Sequence, residues 1–330
     1  MGMVASIEDY SASVCLPQMV KAIELKGGHP LSKNGRLVKY AGGFCVVFPY
    51  EIGFKKYALR CWHSPVKGIE HRSKVISGSI KRSGLPYFVG FEYLPEAVMT
   101  DKGIQPAILM DWVDAIPLKQ YIAEHLEAPK KLDELAEAFL QMAKDLHSVS
   151  FSHGDLQHRN ILVRSDGSLV LVDYDSMFVP ELEGEPEEIK GLAGYQHPAR
   201  ASQKFMSPKS DYFSELVIYT SIRTLSRHPG LWKKLMMEGS ETMIFSEDDI
   251  ASMGRTHIFD VLEADRNLRP LGRALKDALQ QTTLDGLCPL EYCIVGAEDT
   301  IVKNLAEKWR IDMIDFQEIA DHIAKGWRAC

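Results

Sequence analysis

The segment FSHGDLQHRNILVRSDGSLVLVDYD, which begins at residue 151, brings together side chains whose types and spacing could do chemistry. Phosphoryl transfer needs a carboxylate to receive a hydroxyl proton, and oxygen ligands for Mg²⁺ placed shortly after it. Asp155, Asn160 and Asp173 supply these groups in that order, with Asn160 five residues after Asp155. The segment therefore favours phosphoryl transfer, with Asn160 and Asp173 as the metal ligands.

The residues between Asn160 and Asp173 predict how these two ligands meet. ILV (161–163) and LVLV (169–172) are short apolar runs, and turn-forming residues at 165–167 separate them. A hairpin of this kind brings its two outer ends side by side. We therefore expect Asn160 and Asp173 to converge on one site.

Two other interpretations of the segment are weaker. His153-x-Asp155 with a distant histidine could ligate non-haem iron, but that site needs a third ligand on a barrel strand, and the sequence predicts no barrel. A structural turn capped by Asp155 and Asn160 would leave the spacing as a coincidence. We expect His153 and His158 to be scaffold residues.

The surrounding sequence predicts an α+β fold of two lobes. A small antiparallel β lobe is expected from strands at 36–40, 44–50, 55–62, 87–94 and 106–113, with one helix inserted at 66–82. Helical periodicity then dominates, at 132–149, 211–225 and 315–327. The predicted domains are a β-rich lobe at 1–113, a helical lobe at 114–282 and a helical extension at 283–330.

Composition excludes some function classes. The formal net charge of −7 argues against a nucleic-acid or membrane-surface binder, because both need a basic face. The six cysteines are scattered and form no CxxC pair, which favours reduced thiols in a cytoplasmic protein. No apolar run approaches the ~18 residues of a transmembrane helix.

At this point a family resemblance can be stated. HGDLQHRNILV and LVDYD resemble the catalytic loop and metal-binding strand of the protein-kinase-like superfamily. HGDLQ and the continuation DYDSMFVPELEG resemble a bacterial kinase-like family within it. The resemblance implies ATP and Mg²⁺ as cofactors, with Asp155 as the catalytic base and Asn160 and Asp173 holding the metal.

The resemblance also implies a nucleotide-binding surface in the β lobe. ILMDWVD (108–114) falls at the hinge, so that Met110 would be the gatekeeper and backbone groups of Asp111 and Val113 would meet adenine. Gly42 and Gly43 of AGGFCVV would lie over the phosphates, with cysteine where a third glycine is usual. A simple tight hairpin fits these glycines equally well.

Arg60 is the main departure from the superfamily pattern. YALRCW aligns with the strand VAIK and puts Arg60 where a lysine should reach the phosphates. Arginine keeps the charge but presents a planar fork. A lysine of a neighbouring strand could replace it, at position 39, 55 or 56. The usual acidic partner on the inserted helix has one candidate, Glu70.

The segment after the metal-binding strand predicts no phosphorylation switch. Gly154 replaces the arginine that often clamps a phosphorylated activation loop, and Asp175 takes the place of a glycine. Residues 177–200 contain no serine or threonine, only Tyr195, and five glutamates. A phosphate added there would face like charges. Asp211 is expected to hold the catalytic loop by hydrogen bonds to its backbone.

Three functions remain open from the sequence. The first is a phosphotransferase acting on a protein hydroxyl, because the residues that touch metal and proton are present. The second is a pseudokinase, which binds nucleotide as a scaffold without turnover, and which Arg60 and the thin glycine loop favour. The third is a small-molecule kinase or other transferase. A protein substrate or partner is expected, with no nucleic acid and no membrane.

Overall fold

An antiparallel sheet forms from the apolar runs in the first third of the chain. The structure, a computed structural model, describes residues 4–298. The strands of this part are β1 (His29–Pro30), β2 (Ser32–Lys33), β3 (Arg36–Leu37), β4 (Tyr40–Ala41), β5 (Cys45–Ile52), β6 (Lys55–Trp62), β7 (Phe91–Thr100) and β8 (Gly103–Asp111). The main sheet has the order β1-β5-β6-β8-β7, with β4 paired to β5, while β2 and β3 pair separately.

The remaining elements are mostly helical. Two helices accompany the sheet, α1 (Ile7–Ser13) and α2 (Ile69–Ser83). Three short strands form a second small sheet, in the order β11-β10-β9: β9 (Ile116–Pro117), β10 (Ile161–Val163) and β11 (Leu169–Leu171). The other helices are α3 (Leu118–Glu124), α4 (Pro129–Ser148), α5 (Tyr212–Arg227), α6 (Leu231–Lys234), α7 (Glu247–Ala251), α8 (His257–Ala264), α9 (Arg269–Leu279) and α10 (Leu290–Glu298).

The two faces of the main sheet are buried by different partners. Leu59 and Cys61 of β6 belong to a cluster that the N-terminal segment covers, where the Tyr10 hydroxyl donates to the Trp62 carbonyl at 3.0 Å. Successive side chains of a strand point to opposite faces. Arg60 and Trp62 therefore lie on the other face of the sheet, which packs against the helices, and Trp62 is part of the larger core there.

The expected α+β class is confirmed, and the fold is consistent with a two-lobed kinase-like arrangement. The inserted helix is α2, and the 132–149 periodicity became α4, whose positions 135, 139, 142 and 146 are buried. The strand predicted at 36–40 is instead split between β3 and β4, and the predicted five strands became a six-stranded sheet.

The strand predicted at 87–94 starts later than expected, at Phe91. The cause lies in the preceding residues, whose backbone groups bond to the other lobe. The Tyr87 carbonyl accepts from the Leu171 amide at 2.7 Å, and the Val89 amide donates to the Tyr174 hydroxyl at 2.9 Å. These residues therefore tie the sheet to the β10–β11 hairpin and do not extend β7.

A buried polar cluster fastens α10 to the helical core. His147 of α4 contacts Glu215 of α5 through Nε2 at 3.1 Å and Glu291 of α10 through Nδ1 at 3.0 Å. Burial opposes the charge on His147, but the two glutamates outweigh it and raise its pKa to about 9. The helix predicted at 315–327 lies outside the described residues, and the proposed domain limits stay predictions.

Two further expectations concern thiols and membranes. Within residues 4–298, the five cysteines are free thiols. None of the helices in that range combines the length and apolar character needed to cross a bilayer.

Candidate active site

The β10–β11 hairpin places Asn160 beside Asp173, as the sequence predicts. Ile161 pairs with Leu171, and the Val172 amide donates to the Asn160 carbonyl at 3.0 Å. Asp173 is the next residue after this bond. The apolar runs and the turn between them therefore bring the two predicted metal ligands to one end of the hairpin.

The Asp155 carboxylate is held on both oxygens. Oδ2 accepts hydrogen bonds from the amide groups of Gln157 at 2.9 Å and Asn160 at 3.0 Å, and Oδ1 accepts from the Leu192 backbone amide at 2.8 Å. The Asn160 Nδ2 also donates to the Asp155 carbonyl at 2.8 Å. Since Nδ2 of Asn160 bonds to Asp155, Oδ1 is the atom through which this side chain would bind a cation.

Asp211 fixes the backbone of this loop. Its carboxylate accepts from the backbone amides of His153 and, at 3.0 Å, Gly154. Burial raises the pKa of Asp211, while the charge of Arg200 and the two hydrogen bonds from backbone amides oppose that rise. His153 lies between the loop and the hairpin, with Nε2 2.9 Å from the Val172 carbonyl and Nδ1 3.3 Å from the Asp155 amide. His153 is therefore a scaffold residue.

Position 154 requires glycine for a steric reason that the sequence did not reveal. Its φ of +79° lies in the left-handed region, and a Cβ added there would come within 2.1 Å of the Ser176 carbonyl oxygen. Only glycine allows both the conformation and this approach. The absence of an arginine before Asp155 therefore follows from the packing of the 152–178 backbone.

Asp173 lies at the end of the hairpin in a strained conformation. Its φ is +70°, in the left-handed region, and its side chain is 39% exposed. Burial raises the pKa of its carboxyl group, Arg60 lowers it, and the charge of Asp175 raises it further. A dication near this carboxylate would favour its ionised form.

The donor set at this end of the hairpin suits Mg²⁺. Carboxylate and amide oxygens are the ligands that Mg²⁺ takes from proteins, together with water and phosphate oxygens. Asp173 and the Asn160 Oδ1 offer this chemistry. Within the described part of the chain, no three or more His, Cys, Asp or Glu residues cluster closely enough to hold a metal. A metal here would therefore depend on the asparagine.

Every nitrogen of the Arg60 guanidinium has a partner. NH2 lies 2.7 Å from Asp173 Oδ1, NH1 lies 2.5 Å from Asp175 Oδ1, and Nε lies 3.0 Å from Cys45 Sγ. Burial raises the pKa of Cys45 to about 11, so its thiol stays protonated and acts as a weak acceptor. The cysteine at the third glycine position thus packs against the arginine at the lysine position.

Glu70, the candidate for the acidic partner on the inserted helix, does not pair with Arg60. Glu70 is exposed and pairs with Lys74 at 2.7 Å, one helical turn along α2. The helix instead sends Arg72 toward the site, where NH2 donates to the Asp175 carbonyl at 2.6 Å. Helix α2 therefore contributes positive charge where a negative one was expected.

The alternative lysines are engaged elsewhere. Lys55 pairs with Asp111 at 2.7 Å, Lys56 lies over the Trp112 ring, and Lys39 donates to Ser11 at 3.0 Å. Arg60 is therefore the cation that this strand region brings to Asp173.

The predicted nucleotide-binding residues of the β lobe lie as follows. Gly42 and Gly43 form the turn between β4 and β5, with the Gly42 amide donating to the Cys45 carbonyl at 2.8 Å. Met110 lines a small internal cavity together with Arg60 and Asp175. The Asp111 amide donates to the Gly90 carbonyl at 2.9 Å, and Val113 is partly buried. Contacts of these residues with a nucleotide stay predictions.

Tyr195, the tyrosine of the 177–200 segment, is fully buried. Its hydroxyl lies 2.5 Å from His158 Nδ1. Burial, followed by the charges of Lys119 and Arg159, lowers the pKa of His158 to about 3. The neutral His158–Tyr195 pair thus holds the segment beneath the catalytic loop and keeps the tyrosine from solvent.

The acidic residues of the same segment contact α2 and the loop before it. Glu181 pairs with Arg82, Glu185 lies 3.2 Å from His71, and Glu188 lies 3.9 Å from Lys67. Glu187 turns inward and makes a buried pair with Arg200 at 2.8 Å. Glutamate carboxylates therefore pair this segment with basic side chains of α2, of the loop before it and of Arg200.

Part of this site is similar in sequence to known proteins. Residues 93–181 match the ABC1 atypical kinase-like domain, a range that includes Asp155, Asn160 and Asp173 but not Arg60. The probable serine/threonine-protein kinase PknB of Lactococcus lactis subsp. lactis (strain IL1403) is 38% identical over 73 residues. The match covers 21% of this chain and 11% of that protein. The central part of the chain is thus kinase-like in sequence.

Proposed function

We propose that this protein is an ATP- and Mg²⁺-dependent phosphotransferase that acts on a hydroxyl group of a protein, as serine/threonine kinases do. The observation that carries the proposal is the fixed carboxylate of Asp155, which accepts hydrogen bonds from Gln157, Asn160 and Leu192 in a loop anchored by Asp211. A carboxylate held at a defined position is suited to receive the proton of an attacking hydroxyl.

The other residues have roles around the nucleotide. Asn160 and Asp173 would hold Mg²⁺, which when bound supplies positive charge to the phosphates. Arg60 would contribute a second positive charge from β6, since its guanidinium lies 2.7 Å from Asp173. The lobe at 1–113 would hold adenine at the hinge, and the lobe at 114–282 would present Asp155 to the substrate.

One observation favours a second candidate, nucleotide binding without turnover. Arg60 occupies Oδ1 of Asp173 and all its other nitrogens are engaged. If this ion pair persists when nucleotide binds, Asp173 offers one oxygen fewer to a metal. The protein would then serve as a nucleotide-responsive binding module.

Label transfer from ATP tests the first candidate. The full chain is incubated with labelled ATP and Mg²⁺, alone and with casein, beside Asp155→Asn and the control Asp166→Asn. Asp166 lies on the exposed β10–β11 turn, where its carboxylate caps the Ser168 amide at 2.9 Å, a bond that asparagine can keep. Loss of a catalytic base should lower the transfer rate about 10²- to 10⁴-fold, whereas Asp166→Asn should leave it unchanged.

The outcomes separate the candidates. Transfer that survives Asp155→Asn contradicts the assignment of the base. A wild-type chain whose unfolding midpoint rises with ATP, but which transfers no label, supports the binding module, because a ligand that binds only the folded state stabilises it. Label that passes only to a small hydroxyl compound moves the substrate from protein to metabolite.

A further inference from the structure

Asp175 is more deeply engaged than Asp173, although both contact Arg60. Its Oδ1 lies 2.5 Å from Arg60 NH1, its Oδ2 accepts from Trp62 Nε1 at 3.0 Å, and its carbonyl accepts from Arg72 at 2.6 Å. The side chain of Asp175 is 6% exposed, against 39% for Asp173. Asp175 is therefore the fixed partner of Arg60, and Asp173 is the accessible one.

The guanidinium can divide its contacts between these two partners. Its planar fork presents two nitrogens in fixed directions, so that one can keep a carboxylate while the other changes its acceptor. NH1 is committed to Asp175, on the buried side. NH2 faces Asp173, the predicted metal ligand, and is the nitrogen that could donate a hydrogen bond to a phosphate oxygen.

Charges near the fork are balanced without an acidic residue from α2. Arg60 pairs with the carboxylates of Asp173 and Asp175, while Arg72 donates to the Asp175 backbone carbonyl. A lone buried arginine would be costly, and removing one partner of a buried pair leaves the other uncompensated. When Asp173 turns to a metal, Asp175 still compensates Arg60.

We propose that Asp175 is a positioning residue that holds Arg60 for contact with the nucleotide phosphates. It does from the end of the metal-binding strand what an acidic residue on α2 would do, because Glu70 is occupied by Lys74 on the surface. Trp62 and Arg72 fix Asp175 in turn. The inference rests on the proposed function, since it requires that the cleft bind nucleotide phosphates.

A double-mutant cycle tests this role by direct binding, independent of turnover. ATP affinity is measured with Mg²⁺ for the full chain, for Asp175→Asn, for Arg60→Gln and for the double variant. Each single change should weaken ATP binding about tenfold, and the double variant should also lose about tenfold and not about a hundredfold, because Asp175 acts through Arg60. The double variant removes both buried charges, so it controls for misfolding of a single variant.

Adenosine separates positioning from general damage to the cleft. It lacks phosphates, so Asp175→Asn should change its affinity less than about twofold while ATP affinity falls. The matched control is Asp101→Asn, on the exposed β7–β8 turn beside Lys102. This variant should bind both ligands as the unmodified chain does.

The results that overturn the inference are distinct from those that overturn the function. Equal losses for ATP and adenosine, or fully additive losses in the cycle, overturn the positioning role alone. So does normal ATP binding by Asp175→Asn. An unmodified chain that binds neither ligand overturns the nucleotide function itself, and the positioning role with it.

Discussion

The two ends of the candidate site are held together by different forces. At the catalytic loop, Asp155 and His153 are fixed by hydrogen bonds to backbone and amide groups, and Gly154 packs against another backbone segment. At the strand end, Arg60 is fixed by buried ion pairs to Asp173 and Asp175. Backbone contacts allow few residue types at each position, whereas a buried charge needs only to be reached by an opposite charge from some element. The catalytic-loop end can therefore be predicted from the sequence, whereas at the strand end a different element can supply the opposite charge.

The largest expected effect tests the backbone contact at the catalytic loop. Gly154→Ala should destabilise the protein by about 3 kcal/mol or more, because the new methyl group meets the Ser176 carbonyl at 2.1 Å in a left-handed conformation. Gly167→Ala is the matched control, since φ is +86° there but the space around it is open. It should cost about 1–2 kcal/mol. Urea unfolding measures both, and equal losses would mean that the Ser176 contact adds nothing.

An effect of intermediate size tests whether the catalytic-loop end depends on a neutral buried histidine, His158. Burial holds the pKa of His158 near 3 against an ordinary value of 6.5, so the unfolded chain binds this proton first. The contribution of His158 to the free energy of unfolding is then constant above pH 6.5 and falls as pH drops below it, by ~2 kcal/mol at pH 5.

The measurement compares pH series of urea unfolding. His158→Asn should show a shallower loss between pH 6.5 and 5 than the unmodified chain, because asparagine takes up no proton. The exposed His257→Asn should keep the full slope. Parallel curves for His158→Asn and the unmodified chain would refute a buried neutral histidine here.

The smallest effect concerns a surface ion pair between α2 and the acidic segment that follows the candidate site. Glu181→Gln removes the pair with Arg82, where both side chains are largely exposed, and keeps an acceptor for Ser79. The loss should be about 0.2–1 kcal/mol at low salt and should vanish at high salt. Glu183→Gln makes the same charge change on the same exposed segment, and the difference between the two variants isolates the pair. A salt-independent loss would show that the contact is not mainly electrostatic.

The sequence predicted the fold class and the catalytic-loop end of the site. Alternating and helical periods indicated the sheet and α4, and two apolar runs with a turn between them indicated the hairpin that brings Asn160 and Asp173, the predicted metal ligands, to one end. These features are local, so they leave a regular trace in the order of residues. The buried anchor Asp211 was also predicted, from the resemblance and not from a pattern of its own.

The strand end was not predictable in the same way. Asp175 lies 115 residues from Arg60 in the chain, and no spacing rule links them. Arg72 was one basic residue of a polar helix, and only the rotation of α2 decides that Arg72 and not Glu70 reaches the site. One signal was present: alternation along β6 puts Trp62 on the same face as Arg60.

The carboxylates of residues 181–188 have a consequence for how this protein is controlled. Their negative charge belongs to encoded glutamate side chains and is present as soon as the chain folds, whereas a phosphate is added by one enzyme and removed by another. Contacts such as Glu181 with Arg82 therefore form without an added phosphate, and a phosphatase finds nothing there to cleave. The negative charges by which this segment contacts α2 are therefore set at translation, and neither a kinase nor a phosphatase changes them.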